Sequence, residues 1–345
     1  MSHARYSIVV PVHNEEPTLP HLHRRLAGLL DRLDGEAEVL LVDDGSRDRS
    51  YVMMKRIHRL DPRFKVVHLS RNFGHQVAIT AGMDLAEGDA VVVMDADLQD
   101  PPEVVLEMAR LWHEGYEVVY GVRQDRTSDS WFKRRSASVF YRLLRRLTDV
   151  DIPAEAGDFR LVDRRALDVF KEMEEGSRYV RGMFSWMGFR QIGVPYARAP
   201  RHAGETKYPL RKMLSLAMDG VVGFSRVPLR MALNAGLAAA ALAVLGGLAA
   251  LLLRLLGVYV VPGWASVIFV VCFLGGVQLA VLGVMGEYIG RTYEEVIRRP
   301  LYIVDALHGV VETGPSRQRA VVAAPQMAGV PDEADFVPAF GEVGA

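Results

Sequence analysis

Two long stretches without a single charged residue constrain this chain more than any other feature of its sequence. They cover 231–253 and 255–286, and the second contains Pro-Gly-Trp near its start. About 20 apolar residues in a helix are enough to cross the hydrocarbon core of a bilayer. We therefore predict two transmembrane helices, at about 231–253 and 265–286, joined by a tight turn at about 257–264. A buried hairpin of a soluble domain is the alternative, and the length of the stretches disfavours it.

The charges around the two predicted spans indicate their orientation. Five arginines lie before the first span or after the second: Arg226, Arg230, Arg291, Arg298 and Arg299. The connecting turn carries only Arg254. Because positively charged flanks stay in the cytoplasm, both ends of the hairpin are expected on the cytoplasmic side. The first residues agree, since they lead into an apolar run without the basic and apolar regions of a secretory signal.

The first half of the chain alternates short apolar runs with segments of helical spacing. Strands are predicted at 6–12, 39–42, 64–69, 90–94 and 117–120, and helices at 17–33, 47–60, 74–85 and 102–112. Buried strands joined by helices form a parallel sheet that is covered on both faces. Ligands of such sheets bind beyond the carboxyl ends of the strands, so polar residues at these positions are the candidates for chemistry.

Three further segments complete the predicted organisation. Residues 130–147 have an apolar face among many arginines, which favours a helix on the membrane surface over an ordinary domain helix. Residues 287–313 are predicted as a juxtamembrane segment, and 314–345 have the composition of a disordered tail. The remaining predicted domains are an α/β domain at 1–225 and the pair of spans at 226–290.

The composition gives no indication of a nucleic-acid-binding protein or of a disulfide-bonded one. The net charge of −1 gives no general attraction to nucleic acid, so anions must be bound by local clusters. The single cysteine, Cys272, makes an intramolecular disulfide impossible, and nothing therefore indicates an oxidising compartment.

The acidic segment Asp-Ala-Asp-Leu-Gln-Asp-Pro-Pro at 95–102 follows the fourth predicted strand. The carboxylates of Asp95 and Asp97 and the amide oxygen of Gln99 can gather around one hard divalent cation. Such a cation prefers oxygen ligands and commonly bridges to substrate phosphates. It would neutralise a diphosphate as that group leaves. Alone the pattern is a weak signal, because acidic loops are common.

Two more polar turns end the first and second predicted strands, with His-Asn-Glu-Glu at 13–16 and Asp-Asp-Gly-Ser at 43–46. All three turns are expected at the same edge of the sheet. A carboxylate there can accept hydrogen bonds from a base or from ribose hydroxyls. The alternative is that Asp44 or Ser46 caps the next helix, and neighbouring side chains can serve both roles.

Together these motifs resemble the family 2 glycosyltransferases, which have the GT-A fold. The matching segments are Val-Pro-Val-His-Asn-Glu-Glu, Val-Asp-Asp-Gly-Ser, Asp-Ala-Asp-Leu-Gln-Asp-Pro-Pro-Glu, Ser-Arg-Asn-Phe-Gly, Tyr-Gly-Val-Arg, Asp-Phe-Arg-Leu and Gly-Glu-Thr-Lys-Tyr. With its two spans and Gly-Glu-Tyr-Ile-Gly-Arg at 286–291, the chain is similar to the polyprenyl-phosphate type, which includes bacterial undecaprenyl-phosphate glucosyltransferases and dolichyl-phosphate mannose synthase relatives. The resemblance covers about 5–305. It implies an α/β fold, with a Rossmann-like GT-A domain whose sheet is mostly parallel, followed by a two-helix transmembrane hairpin.

The resemblance implies roles for matched positions on the donor side. The residues that would hold the nucleotide base and ribose are Pro11, His13, Glu15 and Asp44. Asp95 would face the nucleotide, while Asp97 and Gln99 would bind Mg²⁺ or Mn²⁺ together with the diphosphate. His13 stands where Tyr is common in the family, which leaves stacking available and the base open. The pair His-Gln at 75–76 stands where many relatives carry Lys, and no role is assigned to it.

Basic side chains near the predicted membrane-facing elements are candidates for binding the acceptor phosphate or the diphosphate. They are Arg123, Arg126, Arg160, Arg201 and Lys207. Guanidinium groups bind phosphate in a bidentate manner, and Lys acts as a point charge. The alternative for each cation is snorkelling or contact with lipid headgroups.

Asp158 completes the implied catalytic set with Asp97 and Arg123, because it matches the position proposed as the base in the bacterial enzymes that this chain resembles. A phosphate monoester with a second pKa near 6 is already mostly dianionic at neutral pH, so it needs little deprotonation. Asp158 can instead position the acceptor, orient Arg160 or a sugar hydroxyl, or form a structural pair with an arginine.

The implied reaction is metal-dependent, inverting transfer of a hexose from a nucleotide-diphosphate sugar to polyprenyl phosphate at the cytoplasmic leaflet of the inner membrane. UDP-glucose is the leading donor, GDP-mannose is the runner-up, and UDP-linked aminosugars or arabinose donors are further alternatives. A processive polysaccharide synthase is disfavoured because the chain lacks a Gln-x-x-Arg-Trp segment. A non-catalytic scaffold would not need the complete ligand set, and a transporter would need charge inside the bilayer. Small residues in the spans favour a homo-oligomer, with a tetramer suggested by the resemblance.

Overall fold

A computed structural model describes residues 5–124, 156–176, 178–198, 227–256, 263–310 and 319–321. The strands in these residues are β1 (Tyr6–Val12), β2 (Ala37–Asp43), β3 (Phe64–Leu69), β4 (Ala90–Val93), β5 (Val118–Arg123), β6 (Ala156–Asp163), β7 (Gln191–Tyr196), β8 (Tyr302–His308) and β9 (Arg319–Val321). The helices are α1 (Leu19–Leu30), α2 (Ser50–Leu60), α3 (His75–Leu85), α4 (Val104–His113), α5 (Arg164–Glu172), α6 (Val180–Trp186), α7 (Val227–Leu255) and α8 (Trp264–Ile297). The alternation predicted for the first half is confirmed, with ends displaced by a few residues.

These strands form one mixed sheet in the order β7-β5-β6-β4-β1-β2-β3-β8-β9. The central strands β4, β1, β2 and β3 are parallel to one another. β6 is antiparallel to both β4 and β5, and β7 is parallel to β5. β5 and β7 consequently run in the same direction as the central strands. The predicted α/β fold with a mostly parallel sheet is confirmed.

The burial of β1 shows why the sheet carries helices on both faces. All of its residues are buried, and successive side chains of a strand point to opposite faces. Ile8 and Val10 belong to the core formed with α1, α2 and α4. Val9, between them, belongs to the core formed with α3, α5 and α6. Two helical layers therefore bury a strand that has no polar face.

The direction of the strands brings several loops to one edge of the sheet, which we call the carboxyl edge. β1 to β5 and β7 all end there. Because β6 runs the opposite way, its first residues also lie there, and Ala156 pairs with Val122 near the end of β5. Asp158 and Arg123 are thus neighbours at this edge although the segment that joins their strands is long. That segment includes the predicted amphipathic helix 130–147, which lies outside the described residues.

The two apolar stretches form the long helices α7 and α8. The predicted spans 231–253 and 265–286 lie within them, and by length and composition both helices can cross a membrane. The helices pack against each other, and most of their large apolar side chains are exposed. Apolar surface of this extent requires a covering, for which lipid is the natural candidate. Of the predicted turn at 257–264, only the last two residues lie within the described part of the chain.

The chain returns from α8 into the mixed sheet, which the sequence did not indicate. β8 lies in the segment predicted as juxtamembrane, and it pairs antiparallel with β3. β9 is a short strand beside β8, inside the tail for which no regular structure was predicted. The division of the chain into domains stays a prediction, but β8 adds part of the segment 287–313 to the sheet of the first domain.

Candidate functional site

At the carboxyl edge, the loop after β2 is fixed to the loop after β3. The carboxylate of Asp44 accepts hydrogen bonds from the backbone N–H groups of Phe73 at 2.7 Å and Gly74 at 3.0 Å. Gly45 permits the close approach, since its φ is +62° and a Cβ atom would lie 2.4 Å from the carbonyl carbon of Arg71. The second predicted turn therefore supports the start of α3.

The alternative role of Asp44 or Ser46 as a cap of α2 is wrong. The N-cap position of α2 is Arg49, and no side chain caps it. Ser46 instead donates its backbone N–H to the carboxylate of Asp43 at 3.2 Å. Asp43 is fully buried and also lies 2.6 Å from Nδ1 of His68. Asp43 thus stabilises its own turn, and Asp44 anchors the loop after β3.

His13 lies exposed beside these two anchored loops. Its Nδ1 atom is 2.9 Å from the carbonyl oxygen of Asp44. The side-chain amide of Asn72 lies 3.1 Å from the same nitrogen. His13 and Asp44 are therefore brought together, and the imidazole is held between two loops while remaining open to solvent.

The other two implied donor-side residues are held within the fold. Pro11 is buried inside β1. The Glu15 carboxylate accepts a hydrogen bond from the hydroxyl of Thr18 at 2.9 Å. The backbone N–H of Glu15 donates to the hydroxyl of Ser50 at 2.9 Å. These contacts shape the turn that carries His13.

The acidic loop after β4 offers oxygen ligands to a cation. Asp97 accepts the backbone N–H of Gln99 at 3.1 Å, and Leu98 between them has a positive φ of 56°. The Oδ1 atom of Asp95 is buried, and no described residue donates a hydrogen bond to it. Within the described part of the chain, no three His, Cys, Asp or Glu side chains are placed to bind a metal.

This donor set fits a metal that is shared with a substrate. Mg²⁺ and similar cations are usually bound by one or two carboxylates together with substrate phosphates and water, rather than by a cage of protein ligands. Asp97 and Gln99 supply oxygen atoms of the right kind, and the unsatisfied oxygen of Asp95 lies in the same loop. The residues therefore fit the implied divalent ion.

The electrostatics of Asp95 agree with this interpretation. Burial raises the pKa of Asp95 to about 6, and the negative charges of Asp158, Asp100 and Asp97 act in the same direction against the opposing effect of His75. A cation at this loop would favour the ionised carboxylate. The loop thus has an excess of negative charge that a metal ion can balance.

Asp158 pairs with an arginine that the sequence analysis did not identify. The guanidinium of Arg181 donates to both carboxylate oxygens of Asp158, at 2.8 and 3.0 Å. Gln76 donates at 3.2 Å, and Nε2 of His75 lies 3.5 Å away. Burial alone would raise the pKa of Asp158, but Arg181 and His75 outweigh it and hold that pKa well below its usual range. The proposed base is therefore a weak base, which favours a positioning role.

The arginine paired with the Asp158 carboxylate is Arg181 and not Arg160. Its guanidinium donates to the carbonyl oxygens of Gly157 at 2.9 Å and Asp158 at 3.4 Å, and it lies over the ring of Phe184. The side chain is buried, and burial lowers its pKa to about 10. This interior position speaks against the implied contact between Arg160 and a phosphate.

Arg123 lies in a second cluster at the same edge, around Asp100. Asp100 is buried and accepts a hydrogen bond from the hydroxyl of Tyr196 at 2.5 Å. Nη2 of Arg123 and Nε of Arg198 lie 3.9 and 3.8 Å from Asp100 Oδ1. Two partly exposed guanidinium groups thus flank the acidic loop, where they can meet an anion. The other predicted cations, Arg126, Arg201 and Lys207, lie outside the described residues.

Sequence reasoning missed the partners in both clusters. They are His75, Gln76, Asp100, Arg181, Tyr196 and Arg198. Asp100 belongs to the acidic motif, but its own partner is 96 residues away along the chain. No local sequence pattern indicates these contacts, because the partners lie far apart along the chain and meet only in the folded sheet.

The end of α8 reaches the carboxyl edge as well. The carboxylate of Glu295 in α8 accepts the backbone N–H of Gly176, which lies in the loop before α6, at 2.7 Å. A few residues later, the carbonyl oxygen of Ile303 accepts the backbone N–H of Ser70 at 3.0 Å. Ser70 opens the loop whose next residues are anchored by Asp44. The apolar helix therefore ends beside the candidate site.

Comparison with known proteins gives a consistent result. Residues 7–170 match the family model described as glycosyl transferase family 2. The chain is 50% identical over 308 residues to the uncharacterized glycosyltransferase YkcC of Bacillus subtilis, covering 89% of this chain and 95% of that protein.

Two relatives with more informative names also match along nearly their whole length. The chain is 37% identical to the prophage bactoprenol glucosyl transferase homolog of Escherichia coli, covering 87% of this chain and 98% of that protein. It is also 37% identical to the bactoprenol glucosyl transferase of Shigella phage SfII, covering 88% of this chain and 98% of that protein.

Proposed function

This chain belongs to glycosyl transferase family 2, and from that premise we propose that it transfers glucose from UDP-glucose to polyprenyl phosphate with inversion at the anomeric carbon. Its relatives from Escherichia coli and Shigella phage SfII carry the name bactoprenol glucosyl transferase, which supports a glucosyl donor and a polyprenyl acceptor. The similarity spans the two apolar helices as well as the catalytic domain, so it supports a lipid acceptor for the chain as a whole.

The observation that carries the proposal is the path of the chain from α8 into β8. An apolar helix long enough to cross a membrane ends within a few residues of the donor-side loop, at the carboxyl edge where the carboxylates and arginines gather. A polyprenyl phosphate keeps its hydrocarbon in the bilayer and presents its phosphate at the surface. A site at the end of a membrane helix is suited to that acceptor.

On the donor side, His13 and Glu15 lie at the turn after β1, with Pro11 beneath them, and Asp44 holds the neighbouring loop for the base and ribose. Asp95 faces the nucleotide. Asp97 and Gln99 would hold Mg²⁺ or Mn²⁺, which supplies positive charge to the diphosphate. The excess of carboxylates in the acidic loop makes that charge necessary for an anionic donor to bind.

On the acceptor side, Arg123 binds the incoming phosphate, assisted by Arg126, Arg201 and Lys207 from segments outside the described residues. An oxygen of the phosphate forms the bond to the anomeric carbon while the bond from that carbon to the diphosphate oxygen breaks. The diphosphate leaves with the electron pair. Because the dianionic phosphate needs no base, Asp158 acts by orienting Arg181 and the groups around it rather than by accepting a proton.

The test is a panel of radiolabelled nucleotide sugars given to membranes that contain the chain, undecaprenyl phosphate and Mg²⁺. We expect label in the organic phase with UDP-glucose, and a β-linked product from the α-linked donor. Label from GDP-mannose or a UDP-aminosugar instead would correct the donor. Lack of lipid-linked label with every donor, or net retention at the anomeric carbon, would overturn the proposal.

The proposed topology has the catalytic domain and both termini in the cytoplasm and the hairpin in the inner membrane. Sealed inverted vesicles should therefore label lipid from external UDP-glucose, whereas right-side-out vesicles should not. The chain is further proposed to form a homo-oligomer, a tetramer by resemblance, which light scattering on the detergent-solubilised protein would measure.

A further inference from the structure

Helix α8 is attached to the carboxyl edge at two places, one on each side of the site. After α8 ends at Ile297, β8 pairs with β3, and the carbonyl oxygen of Ile303 accepts the backbone N–H of Ser70 at 3.0 Å beside the donor-side loop. Within the last turn of α8, the carboxylate of Glu295 accepts the backbone N–H of Gly176 at 2.7 Å, in the connection between α5 and α6. One apolar helix thus contacts a loop on the donor side and a loop on the acceptor side.

The contact between Glu295 and Gly176 is close. A Cβ atom at position 176 would lie 3.2 Å from Oε1 of Glu295, so the absence of a side chain lets the backbone approach the carboxylate. A hydrogen bond to an ionised carboxylate is stronger than one between neutral groups. This contact therefore joins the end of α8 to the connection between α5 and α6.

An arginine holds the middle of the same connection. Arg178, two residues after Gly176, is buried, and its guanidinium lies over the ring of Phe170 in α5. Burial lowers the pKa of Arg178, and nearby groups that include the carboxylates of Asp84 and Glu295 oppose this effect. Arg178 thus keeps the connection against α5, while Glu295 keeps it against α8.

The connection continues into α6, whose first residues hold Asp158. The backbone N–H of Val180 donates to the side-chain oxygen of Gln76 at 3.1 Å, and the amide of Gln76 donates to the carboxylate of Asp158 at 3.2 Å. Arg181, the next residue, donates to both oxygens of that carboxylate. The contact with α8 at Gly176 and the contact with Asp158 at Arg181 are therefore only a few residues apart along the chain.

The nature of the proposed acceptor makes the position of this cluster relative to the membrane important. The acceptor phosphate is attached to a hydrocarbon that stays in the bilayer, so its distance from the membrane surface is limited. UDP-glucose is soluble and reaches the site from the cytoplasm without that restriction. A group that fixes the acceptor side relative to a membrane helix should therefore affect the lipid substrate and not the nucleotide sugar.

We propose that Glu295 is a positioning residue, which holds the connection between α5 and α6 to the end of α8. It thereby sets Arg181 and Asp158 at the distance from the bilayer at which a lipid phosphate is presented. The inference rests on the proposed function, because it requires an acceptor that is anchored in the membrane. The donor side keeps its own attachment to α8 through the pairing of β8 with β3.

The test uses the full-length chain reconstituted in phospholipid vesicles. Glu295→Ala removes the hydrogen-bond acceptor, and Glu295→Gln keeps an oxygen atom there without the charge. Glu294→Ala is the control, since it removes an exposed carboxylate from the same turn of α8, and neighbouring residues of a helix point in directions about 100° apart. Steady-state rates are measured with UDP-glucose and undecaprenyl phosphate, together with the thermal unfolding midpoint of each variant.

We expect Glu295→Ala to raise the KM for undecaprenyl phosphate about five- to tenfold, the effect of losing one hydrogen bond. The KM for UDP-glucose and kcat should stay within about twofold of the wild type. Glu295→Gln should remain within about threefold of the wild type in the KM for undecaprenyl phosphate, because its side-chain oxygen can still accept the N–H of Gly176. Glu294→Ala should match the wild type.

A double variant tests whether Glu295 acts through Arg181. Substitutions of residues that act through one another are not additive. Adding Glu295→Ala to Arg181→Gln should therefore cause little further rise in the KM for undecaprenyl phosphate.

Four results would overturn the inference and leave the proposed function intact. They are equal impairment of the glutamine and alanine variants, a wild-type acceptor KM in Glu295→Ala, an equal rise in both KM values, and a fully additive effect in the double variant. If the wild type makes no lipid-linked sugar with any donor, the proposed function fails and the inference fails with it. An alanine variant that unfolds at lower temperature is judged by the difference between the two KM values, which a smaller amount of folded protein would not produce.

Discussion

The donor side and the acceptor side of the carboxyl edge are built in different ways. On the donor side, Asp97 bonds to Gln99 and Asp43 to Ser46 within their own turns, while Asp44 bonds to the backbone at the start of α3. On the acceptor side, Asp158 depends on Arg181, which lies 23 residues further along the chain. The donor-side contacts therefore mostly join residues that lie in recognisable short motifs, whereas the acceptor-side partner Arg181 lies outside every motif. Substitutions on the two sides should fail for different reasons.

The largest effect is expected on the donor side, from Asp97→Ala. This change removes the carboxylate that would hold the divalent ion on the diphosphate, so transfer should fall by a factor of about 10³ or more. The thermal unfolding midpoint should stay close to that of the wild type, because Asp97 lies in a loop and is partly exposed. Transfer assays with and without added Mg²⁺ would measure the loss.

The control for that change is Asp168→Ala, which removes an exposed carboxylate of α5 that lies 3.9 Å from Arg164. It should leave the rate of transfer unchanged. An Asp97→Ala chain that keeps full activity in excess chelator would show that the donor side needs no metal. Substitutions on the two sides would then not differ in the way described above.

A smaller but more complex effect is expected on the acceptor side, from Arg181→Gln. Misplacement of Asp158 should reduce transfer about 100-fold. Breaking the pair leaves a buried carboxylate with fewer partners, which should lower the free energy of unfolding by about 3 kcal/mol. Unlike Asp97→Ala, this variant should therefore lose activity and stability together, and denaturant unfolding beside the transfer assay would separate the two cases.

The pH dependence of the same variant has a definite sign. In the wild type the pKa of Asp158 lies well below its usual range, so the stability from the ionised pair is present above the ordinary carboxyl pKa and is lost as the pH falls through the lower folded value. Removing Arg181 raises that pKa. The difference in unfolding free energy between wild type and variant should thus be largest near neutral pH and should shrink in acid. A constant difference across this range would contradict the ion pair.

The same contrast explains how much could be predicted from the sequence. The apolar runs of β1 to β4 and the polar turns that follow them were found because strand burial and turn chemistry are local. The antiparallel direction of β6 was not found, because the register of a strand depends on its neighbours in the sheet rather than on its own residues. The contact between Asp158 and Arg181 depends on that direction, and so it escaped as well.

β8 shows the same limit at the other end of the sheet. Its sequence follows a membrane helix, and nothing within Tyr302–His308 indicates that it pairs with β3. In β8, His308 contacts Tyr51 of α2. In the neighbouring strand β3, His68 contacts Asp43 at the donor-side turn. These contacts connect β8 to the donor side. Residues far from the motifs thus fix the position of the apolar helices relative to the site.

The smallest effect is expected from Tyr196→Phe. The Tyr196 hydroxyl donates to the buried carboxylate of Asp100 on the acceptor side, whereas the Tyr6 hydroxyl makes an equally short hydrogen bond to the exposed Asp34 at the opposite edge. Losing the donor to a buried acceptor should lower the free energy of unfolding by about 1–2 kcal/mol, partly relieved as Arg123 moves toward Asp100. Tyr6→Phe should cost less, because water can replace its hydroxyl at Asp34.

Activity separates the two tyrosine variants more clearly than stability does. If Arg123 turns toward Asp100 it leaves the position from which it would bind the acceptor, so Tyr196→Phe should raise KM for undecaprenyl phosphate a few-fold while KM for UDP-glucose stays constant. Tyr6→Phe should change neither KM. Denaturant unfolding and steady-state assays of both variants measure these values. A rise in the KM for UDP-glucose alone would contradict this assignment and would place the cluster around Asp100 on the donor side.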